Sequence, residues 1–449
     1  MSANPLRAWR TRSQRFGLGA ATVAVTTLLG LLRTKWLALH LGAEGVGLVG
    51  MATATWTWFG LVAGLGMNVA LAQGIAAARG AGGAHAEARD AITAARLVAI
   101  ASAVVALVLL VAAGPLAALL LASAEHATLI RIAALGVAGF GLQAYLQGVF
   151  AGRSDLGSPF AYALGGGVVM LAFTLWLVPA QGIEGAAFAG TMLFPAGAAT
   201  AMAFMALRRP AHVAASFDST RARALLAVGI TTLSVSLLDQ GVVLAARSQF
   251  LAREGAAANG YFQAAIALSQ QVGAVFYVYL ASYAYGQVSA RTGVEAMEAY
   301  TRRQWKPLLA LATLAFTIAQ LASPWLLHAI YSDRFDGARP MIAWTLAGEF
   351  GRVVMQAWAL ASLPVGGPRL WMPLMLSFPL VFFAGALAAS ALGAGPLSLA
   401  FGYASAGAVS LLCVGVGMSR AKVRLGPGDL LLLLAAVAWQ VVLAMRFGR

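Results

Sequence analysis

Charged residues and cysteine are scarce in this chain. Only 10% of its 449 residues are charged, whereas 61% are hydrophobic, and the mean hydropathy is +0.81. A water-soluble chain of this length needs far more charge to cover its surface. The single cysteine, Cys413, excludes a disulfide framework and a thiolate cluster. The two absences argue against a soluble globular protein and against a disulfide-stapled fold.

The chain also lacks the motifs and long loops of an enzyme. It has no Walker sequence, which argues against ATP hydrolysis. Its five histidines are scattered and no pair has metal-ligand spacing, so we predict no metal site and no cofactor. The longest inner connections, 207–223 and 286–306, are too short for a soluble catalytic domain. We therefore predict that the protein is not an enzyme.

Long apolar runs dominate the sequence. Each is close to the roughly 20 residues that a helix needs to cross ~30 Å of hydrocarbon. The runs are unbroken rather than alternating, which argues against strands. We predict an all-α polytopic membrane protein of twelve spans, followed by a thirteenth hydrophobic segment. The predicted spans are 16–38, 46–75, 91–113, 127–150, 159–180, 184–206, 224–250, 257–285, 307–328, 341–363, 370–392, 396–418 and, as the thirteenth, 429–446.

A short pattern occurs twice, about half the chain apart. In each copy a cation stands near the end of an apolar run, and a pair of glycines opens the next run. The copies contain Arg33, Lys35-Trp36-Leu37-Ala38, Gly42 and Gly47, and Arg247, Gln249-Phe250-Leu251-Ala252, Gly255 and Gly260, with one gap before the first glycine. Internal duplication in a membrane protein is typical of transporters. The predicted divisions are an N-terminal six-helix lobe at 1–206, a cytoplasmic linker at 207–223, a C-terminal six-helix lobe at 224–424 and an extra hydrophobic segment at 425–449.

The net charge of +15 is spread over alternate short loops. If the N-terminus is cytoplasmic, most basic residues fall on the inner face, as the positive-inside rule requires. This distribution argues against a nucleic-acid partner. We therefore predict a cytoplasmic N-terminus.

Function must come from the few polar side chains at membrane depth. A charge in hydrocarbon costs at least about 2.5–3.5 kcal/mol, so it normally faces a cavity or a partner. Span seven carries Asp239 and, two turns further on, Arg247; span ten carries Glu349, Arg352 and Gln356 on one helix face. The other candidates are Arg33, Lys35, Asn68 and Gln143. Cations exceed carboxylates in this set.

Simpler interpretations stay open for several of these residues. Glu349 and Arg352 would neutralise each other in a structural ion pair, and Arg33 and Lys35 would snorkel to the outer headgroups. Asp239 has no cation at i±3 or i±4. It is therefore a candidate for ion coupling or for a cross-helix contact with a cation.

Five segments in order carry a family resemblance. They are LGAEGVGL at 41–48, VAGLG at 62–66, QGIEGAA at 181–187, YSDRF at 331–335 and WTLAGEFGRVV at 344–354. Over about 14–424 the chain resembles the Wzx-type polysaccharide flippases (O-antigen and enterobacterial common antigen) of the multidrug/oligosaccharidyl-lipid/polysaccharide (MOP) exporter superfamily. The segment at 344–354 is most similar to the common-antigen branch. The thirteenth hydrophobic segment departs from the family's usual twelve.

The resemblance implies a function and a mechanism. Such proteins have two helix bundles in a V shape, and they move undecaprenyl-pyrophosphate-linked oligosaccharide across the bacterial inner membrane by alternating access. A pyrophosphate carries about two negative charges, which Arg and Lys would stabilise. The predicted substrate-binding residues are Arg33, Lys35, Arg247, Arg352, Gln356, Asn68 and Gln143, and the candidates for H⁺ or Na⁺ coupling are Asp239 and Glu349. The implied partners are the lipid-linked oligosaccharide, the bilayer, and polysaccharide polymerase and chain-length proteins.

Three other functions are compatible with a polytopic chain. A drug exporter of the same superfamily would carry organic cations, which need carboxylates rather than an excess of cations. A non-transporting scaffold would give no reason for charges at membrane depth. A glycosyltransferase or polymerase would need a sizeable outer loop, and the outer loops here are short.

Overall fold

The computed structural model describes residues 5–81, 83–208, 216–280, 305–420 and 427–448. Within these ranges the regular structure is helical and no strand occurs. The α-helices are α1 (Pro5–Gly64), α2 (Met67–Gly80), α3 (Ala84–Val111), α4 (Ala113–Leu120), α5 (Ala127–Gly152), α6 (Gly157–Thr191), α7 (Leu193–Arg208), α8 (Ser219–Tyr279), α9 (Lys306–Ile330), α10 (Arg339–Ala391), α11 (Ser398–Arg420) and α12 (Pro427–Phe447). Short 3₁₀ helices lie at Ala124–His126, Asp333–Ala338 and Gly395–Leu397.

Three of the long helices are two helices joined at a glycine. Gly42 in α1, Gly182 in α6 and Gly255 in α8 have φ of 64°, 56° and 87°. Such backbone angles are open to glycine and strained for other residues. Each break separates two neighbouring predicted spans, which explains why the helices are longer than a bilayer is thick.

Nine helical stretches in the described ranges are long and apolar enough to cross a membrane. Three of them each contain two of the predicted spans, and the predicted span 341–363 lies in the first part of α10. The chain is therefore a multi-pass membrane protein, and the predicted all-α polytopic fold is confirmed. The last part of the predicted span 257–285, most of the linker at 207–223 and the start of the segment at 425–449 lie outside the described residues.

Two predicted spans are interrupted where the sequence suggested continuous helices. The span at 46–75 breaks at Leu65 and Gly66, which have φ of 51° and 66°. A side chain on Gly66 would collide with the backbone of Gly229, so this break lets two segments approach closely. The span at 184–206 is divided at Met192, between α6 and α7.

The duplicated glycines occupy matching positions in the structure. Gly42 and Gly255 both carry a left-handed φ followed by an extended ψ, at −168° and 172°. Five residues after each, the contacts are reciprocal: a methyl group on Gly47 would overlap the Ala256 carbonyl, and one on Gly260 would overlap the Ala43 carbonyl. The repeat seen in the sequence is therefore also a repeat of backbone geometry.

Alanine at Gly260 is expected to destabilise the protein by about 1–3 kcal/mol, because the added methyl group forces two backbones apart. The matched control is Gly415→Ala in α11, where the new methyl group has nothing within 4 Å. That change should be neutral or slightly stabilising, since alanine favours helix. Thermal unfolding in detergent measures both variants, and equal melting temperatures would contradict the close approach.

The chain divides into two compact units. The first comprises the chain up to Leu41 with Leu48–Gln240, and the second comprises Gly42–Gly47 with Gly241–Arg449. In the first unit α5 packs against α2, α3 and α6, and α7 packs against α6. In the second, α10 packs against α9, α11 and α12. The predicted lobe boundaries at 206 and 224 stay a prediction.

The thirteenth segment forms helix α12, which lies parallel to α9. Asp429 Oδ1 at its start is 3.0 Å from Lys306 Nζ at the start of α9. Further along, Trp439 Nε1 donates to Thr317 Oγ1 (2.9 Å), and Gln440 Nε2 donates to the same oxygen (3.3 Å). Two parallel helices that are in contact along their length end on the same side of the membrane.

We therefore expect the C-terminus on the side of the membrane where α9 ends. In a Cys413→Ala background, a cysteine at position 333 and one appended after Arg449 should react alike with an impermeant maleimide. Position 333 suits this purpose because the Asp333 side chain is 94% exposed. A cysteine placed at the N-terminus should show the opposite reactivity. Reaction of the two test cysteines from opposite sides would contradict the parallel packing.

Candidate functional site

Arg33 lies in the first unit with neutral partners only. Its Nε donates to Thr174 Oγ1 (3.4 Å) and its Nη2 donates to the Ala186 carbonyl (3.0 Å). No carboxylate in the described ranges forms an ion pair with it. The Arg33 guanidinium therefore donates to neutral oxygens, and no described carboxylate neutralises its charge.

Arg247 in the second unit has a similar environment. Its side chain is buried, and Nε donates to Asn259 Oδ1 (3.2 Å). Asn259 in turn donates from Nδ2 to the Gly47 carbonyl (3.0 Å). Arg247 Nη2 is buried without a hydrogen-bond partner, and no described carboxylate pairs with the charge.

The two arginines occupy equivalent places in the repeat. With the single gap allowed, Arg33 aligns with Arg247, each shortly before its left-handed glycine, Gly42 or Gly255. Among the described residues, Arg33 in the first unit and Arg247 in the second therefore lie at membrane depth with only neutral hydrogen-bond partners. Such a charge is costly unless it has a role or receives an anion.

Glu349 in the second unit is fully buried between two tyrosines. Its Oε1 accepts from the Tyr277 hydroxyl (2.5 Å), and its Oε2 accepts from the Tyr403 hydroxyl. Arg352 Nη1 donates to the Tyr403 oxygen (3.3 Å), and its guanidinium lies 4.9 Å from the centre of the Phe378 ring. Tyr403 thus stands between Glu349 and Arg352, which form no direct ion pair.

Asn68 and Gln143 line one pocket of about 280 Å³ in the first unit. We call it the polar pocket. Its other hydrogen-bonding side chains are Gln147, Thr232 and Ser236. No charged side chain is among its lining residues.

The remaining candidate residues lie outside the contacts and the pocket described above. Lys35 is half-buried on α1 in the first unit, and Gln356 is half-buried on α10 in the second. Asp239 is half-buried in the first unit and accepts a hydrogen bond from Gln240 Nε2 (3.0 Å). Their substrate-binding and coupling roles stay predictions.

The sequence did not single out the buried ion pair of the first unit. Asp90 is fully buried, and Arg221 contacts both of its oxygens, with Nε–Oδ1 at 2.6 Å and Nη2–Oδ2 at 2.5 Å. Beside the pair, Asp218 accepts from the backbone amides of Arg221 and Thr220. These hydrogen bonds, with the Arg89 charge, lower the pKa of the Asp218 carboxyl. The cluster joins α3 to the start of α8.

Replacing Arg221 by methionine is expected to destabilise the protein by about 2–3 kcal/mol, because Asp90 stays buried without its cation. The cost is below that of a wholly buried pair, since 42% of the Arg221 side chain is exposed. Adding Asp90→Leu should restore most of the loss. Arg89→Met, which breaks only the exposed pair with Asp218, is the control. Melting temperatures in detergent compare the variants, and equal losses in both single variants would contradict the assignment.

The partners of Arg247 and Glu349 lie across a helix break or on another helix. Asn259 lies on the other side of the Gly255 break from Arg247, and Tyr403 lies on a different helix from Glu349. A single sequence shows no spacing rule that links such positions. The one available signal is that each is a polar residue in an apolar run.

One comparison with known proteins gives the family of this chain, and another gives its fold. A family model described as "Polysaccharide biosynthesis protein" matches residues 18–285. A search of curated proteins gave no match. Among solved structures, an inward-facing multidrug resistance MATE family transporter of the MOP superfamily is similar with a TM-score of 0.70 at 18% identity, covering 88% of this chain and 95% of that chain.

A second solved structure is a MOP superfamily transporter from Pyrococcus furiosus Vc1 (DSM3638), whose description notes a binding pocket of reverse polarity that suggests a different function. It has a TM-score of 0.59 at 17% identity and covers 90% of this chain and 94% of that chain. At such identities the likeness establishes the fold alone, which this chain shares with these transporters. Because the family model matches more than half of the chain, this protein belongs to the polysaccharide biosynthesis protein family, as the ordered sequence segments predicted.

Proposed function

We propose that the protein is a flippase that moves undecaprenyl-pyrophosphate-linked oligosaccharide from the cytoplasmic to the periplasmic leaflet of a bacterial inner membrane. The observation that carries the proposal is the pair of equivalent cations, Arg33 and Arg247, whose partners in the described part of the chain are all neutral. Family membership supports the polysaccharide part of the proposal.

A pyrophosphate is a suitable ligand for either arginine taken by itself. Guanidinium groups bind phosphate oxygens through paired, charge-assisted hydrogen bonds, and Arg247 Nη2 donates to no described residue. Outward movement of two negative charges is also favoured by an inside-negative potential, by roughly 4–5 kcal/mol per 100 mV if they are uncompensated. The arginines would stabilise the pyrophosphate headgroup, and the membrane potential would favour its movement from the inner to the outer leaflet.

The buried carboxylates disfavour the drug-exporter alternative. An organic cation needs an available carboxylate in an apolar cavity. Asp90 is paired with Arg221, Glu349 accepts from two tyrosine hydroxyls, and the half-buried Asp239 accepts from Gln240 Nε2.

The polar pocket offers a place for saccharide hydroxyl groups. Its amide and hydroxyl side chains both donate and accept hydrogen bonds, which is what an uncharged sugar requires. Asn68 and Gln143 would orient the sugar, whereas the arginines would take the phosphates.

We further propose that transport proceeds by alternating access, with the N-terminus in the cytoplasm, and is coupled to H⁺ or Na⁺ through Glu349 or Asp239. Polysaccharide polymerase and chain-length proteins would receive the product on the outer face. Each of these statements follows from the resemblance and from the position of the two carboxylates.

Leaflet translocation in proteoliposomes tests the proposal. The native chain is supplied with fluorescent undecaprenyl-pyrophosphate oligosaccharide in one arm and with a cationic dye in the other. We expect the lipid-linked sugar to become accessible to an added periodate or glycosidase on the far side, and the dye to stay where it was. Asp239→Asn should lower the rate only when an ion gradient is imposed, if Asp239 is the coupling group.

Export of the dye without translocation of the lipid-linked sugar would overturn the flippase and favour the drug exporter. Movement of neither, by a correctly folded protein, would favour the scaffold. Proteoliposomes that contain an unrelated membrane protein of equal size, in place of this protein, serve as the control for leakage.

A further inference from the structure

A second pocket adjoins the polar pocket within the first unit. Its volume is about 490 Å³, and it shares Gln143 and Gln147 with the polar pocket. Most of its other lining residues are apolar, and we call this cavity the apolar pocket. The apolar lining residues are Phe150, Ala151, Leu156, Pro159, Tyr162, Ala163 and Leu193.

The back of the apolar pocket is firmly packed. Phe150 and Tyr162 belong to a buried cluster with Leu146 and alanines of α7. The Tyr162 ring lies against Gly197, where any side chain would collide with it. The cavity is therefore part of the folded unit and does not depend on a ligand to form it.

The front of the pocket is accessible. Thr26 on α1, Ala151 on α5 and Leu156 are exposed. The Thr26 hydroxyl bonds to carbonyls of its own helix, and the Asp155 carboxylate accepts from the Gly157 amide (2.9 Å) at the start of α6. These polar groups are engaged locally, and an apolar ligand at the pocket would not displace them.

We propose that, at a stage before the phosphates reach an arginine, the apolar pocket binds the first isoprene units of the lipid carrier and the polar pocket binds the first sugar, with the phosphates between them at the shared amides of Gln143 and Gln147. This inference rests on the proposed function and names the part of the substrate that each pocket binds. A ligand that runs from an apolar chain into an uncharged, hydroxyl-rich group matches both linings in order.

The sizes agree with this assignment. An apolar cavity of about 150 Å³ holds one benzene ring, so the apolar pocket has room for roughly three such groups, or about three isoprene units. Arg33 lies on α1 about two turns beyond Thr26. In this proposal the phosphates pass from the amides to Arg33 at the next stage. The pockets would thus form one station on the path of the substrate.

Photolabelling locates the lipid chain directly. The probe is undecaprenyl monophosphate with a photoreactive group on its first isoprene unit, which carries no sugar and requires no translocation. It is added to the full-length protein in nanodiscs, and the labelled peptides are identified by mass spectrometry. We expect labels within 143–163 and near Thr26. Labels confined to other segments would overturn the inference.

Filling the pocket gives an independent test. Thr26→Trp and Ala151→Trp place an indole at exposed positions that line the cavity, so folding should survive. The matched controls are Leu28→Trp on α1 and Leu135→Trp on α5, which are 59% and 53% exposed and lie outside the lining. Each filling variant should bind the probe about tenfold more weakly, as expected for displacing two methylene-sized groups. The controls should bind like the native chain.

The two tests separate this inference from the proposed function. Unchanged probe affinity in both filling variants overturns the lipid seat, even where the native chain translocates the lipid-linked sugar. Equal competition by phosphatidylglycerol also overturns it, because the pocket would then be an ordinary site for bilayer lipid. Probe binding that the filling variants lose, in a native chain that translocates, supports both.

Discussion

Replacing Arg247 by leucine is expected to slow translocation of lipid-linked oligosaccharide about 100-fold. The physical reason is the loss of a charge-assisted contact with the pyrophosphate, worth up to about 3 kcal/mol when the partner is charged. Arg247 is buried, and Asn259 is its hydrogen-bond partner among the described residues, so its loss leaves only a neutral side chain at this position. Initial rates in proteoliposomes measure the effect.

Two variants make the result interpretable. Arg247→Lys keeps the charge but loses the paired donors of the guanidinium, so an intermediate loss of about tenfold is expected. Arg253→Leu removes an exposed arginine from the same helix α8, where it contacts Ser390, and should translocate at the native rate. If Arg253→Leu and Arg247→Leu lose the same activity, net charge and not the buried site controls transport.

Replacing Glu349 by glutamine is expected to abolish the response of translocation to an imposed ion gradient. Glutamine has nearly the shape of a protonated glutamic acid but cannot gain or lose a proton. Glu349 accepts from Tyr277 of α8 and Tyr403 of α11, so a change in its charge state would rearrange bonds among three helices. We expect the gradient-driven rate to fall at least tenfold, to the rate measured without a gradient.

The comparison with tyrosine variants tests the same network. Tyr277→Phe and Tyr403→Phe each remove one donor and leave the carboxylate, so each should weaken the response without abolishing it. Glu125→Gln, an exposed acid in the short helix before α5, is the matched control and should respond normally. A native response in Glu349→Gln would assign coupling elsewhere, with Asp239 the next candidate.

Composition and periodicity were enough to predict the membrane fold. Unbroken apolar runs near bilayer length have one stable solution in lipid, since every backbone group must be satisfied inside the helix. The family followed from ordered segments such as 41–48 and 344–354. The repeat was also visible, because Gly42 and Gly255 must be glycine to adopt their backbone angles.

The contacts within the candidate site were not predictable in this way. The sequence placed Glu349 and Arg352 on one helix face, and an ion pair was an open interpretation. In the fold Tyr403, from another helix, stands between them. Local spacing describes neighbours on one helix, whereas the partner of a buried charge is set by which helices pack together.

By itself the sequence determined that the protein is a helical membrane protein, which family it belongs to, and where the duplicated glycine breaks lie. Hydrophobicity and the backbone angles open to glycine are local properties, so they can be read from the residues themselves. Tertiary structure decided which polar groups meet. It gave Arg33 and Arg247 neutral partners, joined Asp90 to Arg221, and set the polar and apolar pockets side by side at Gln143 and Gln147. These contacts join residues from separate helices, and only the packing of those helices fixes their distances.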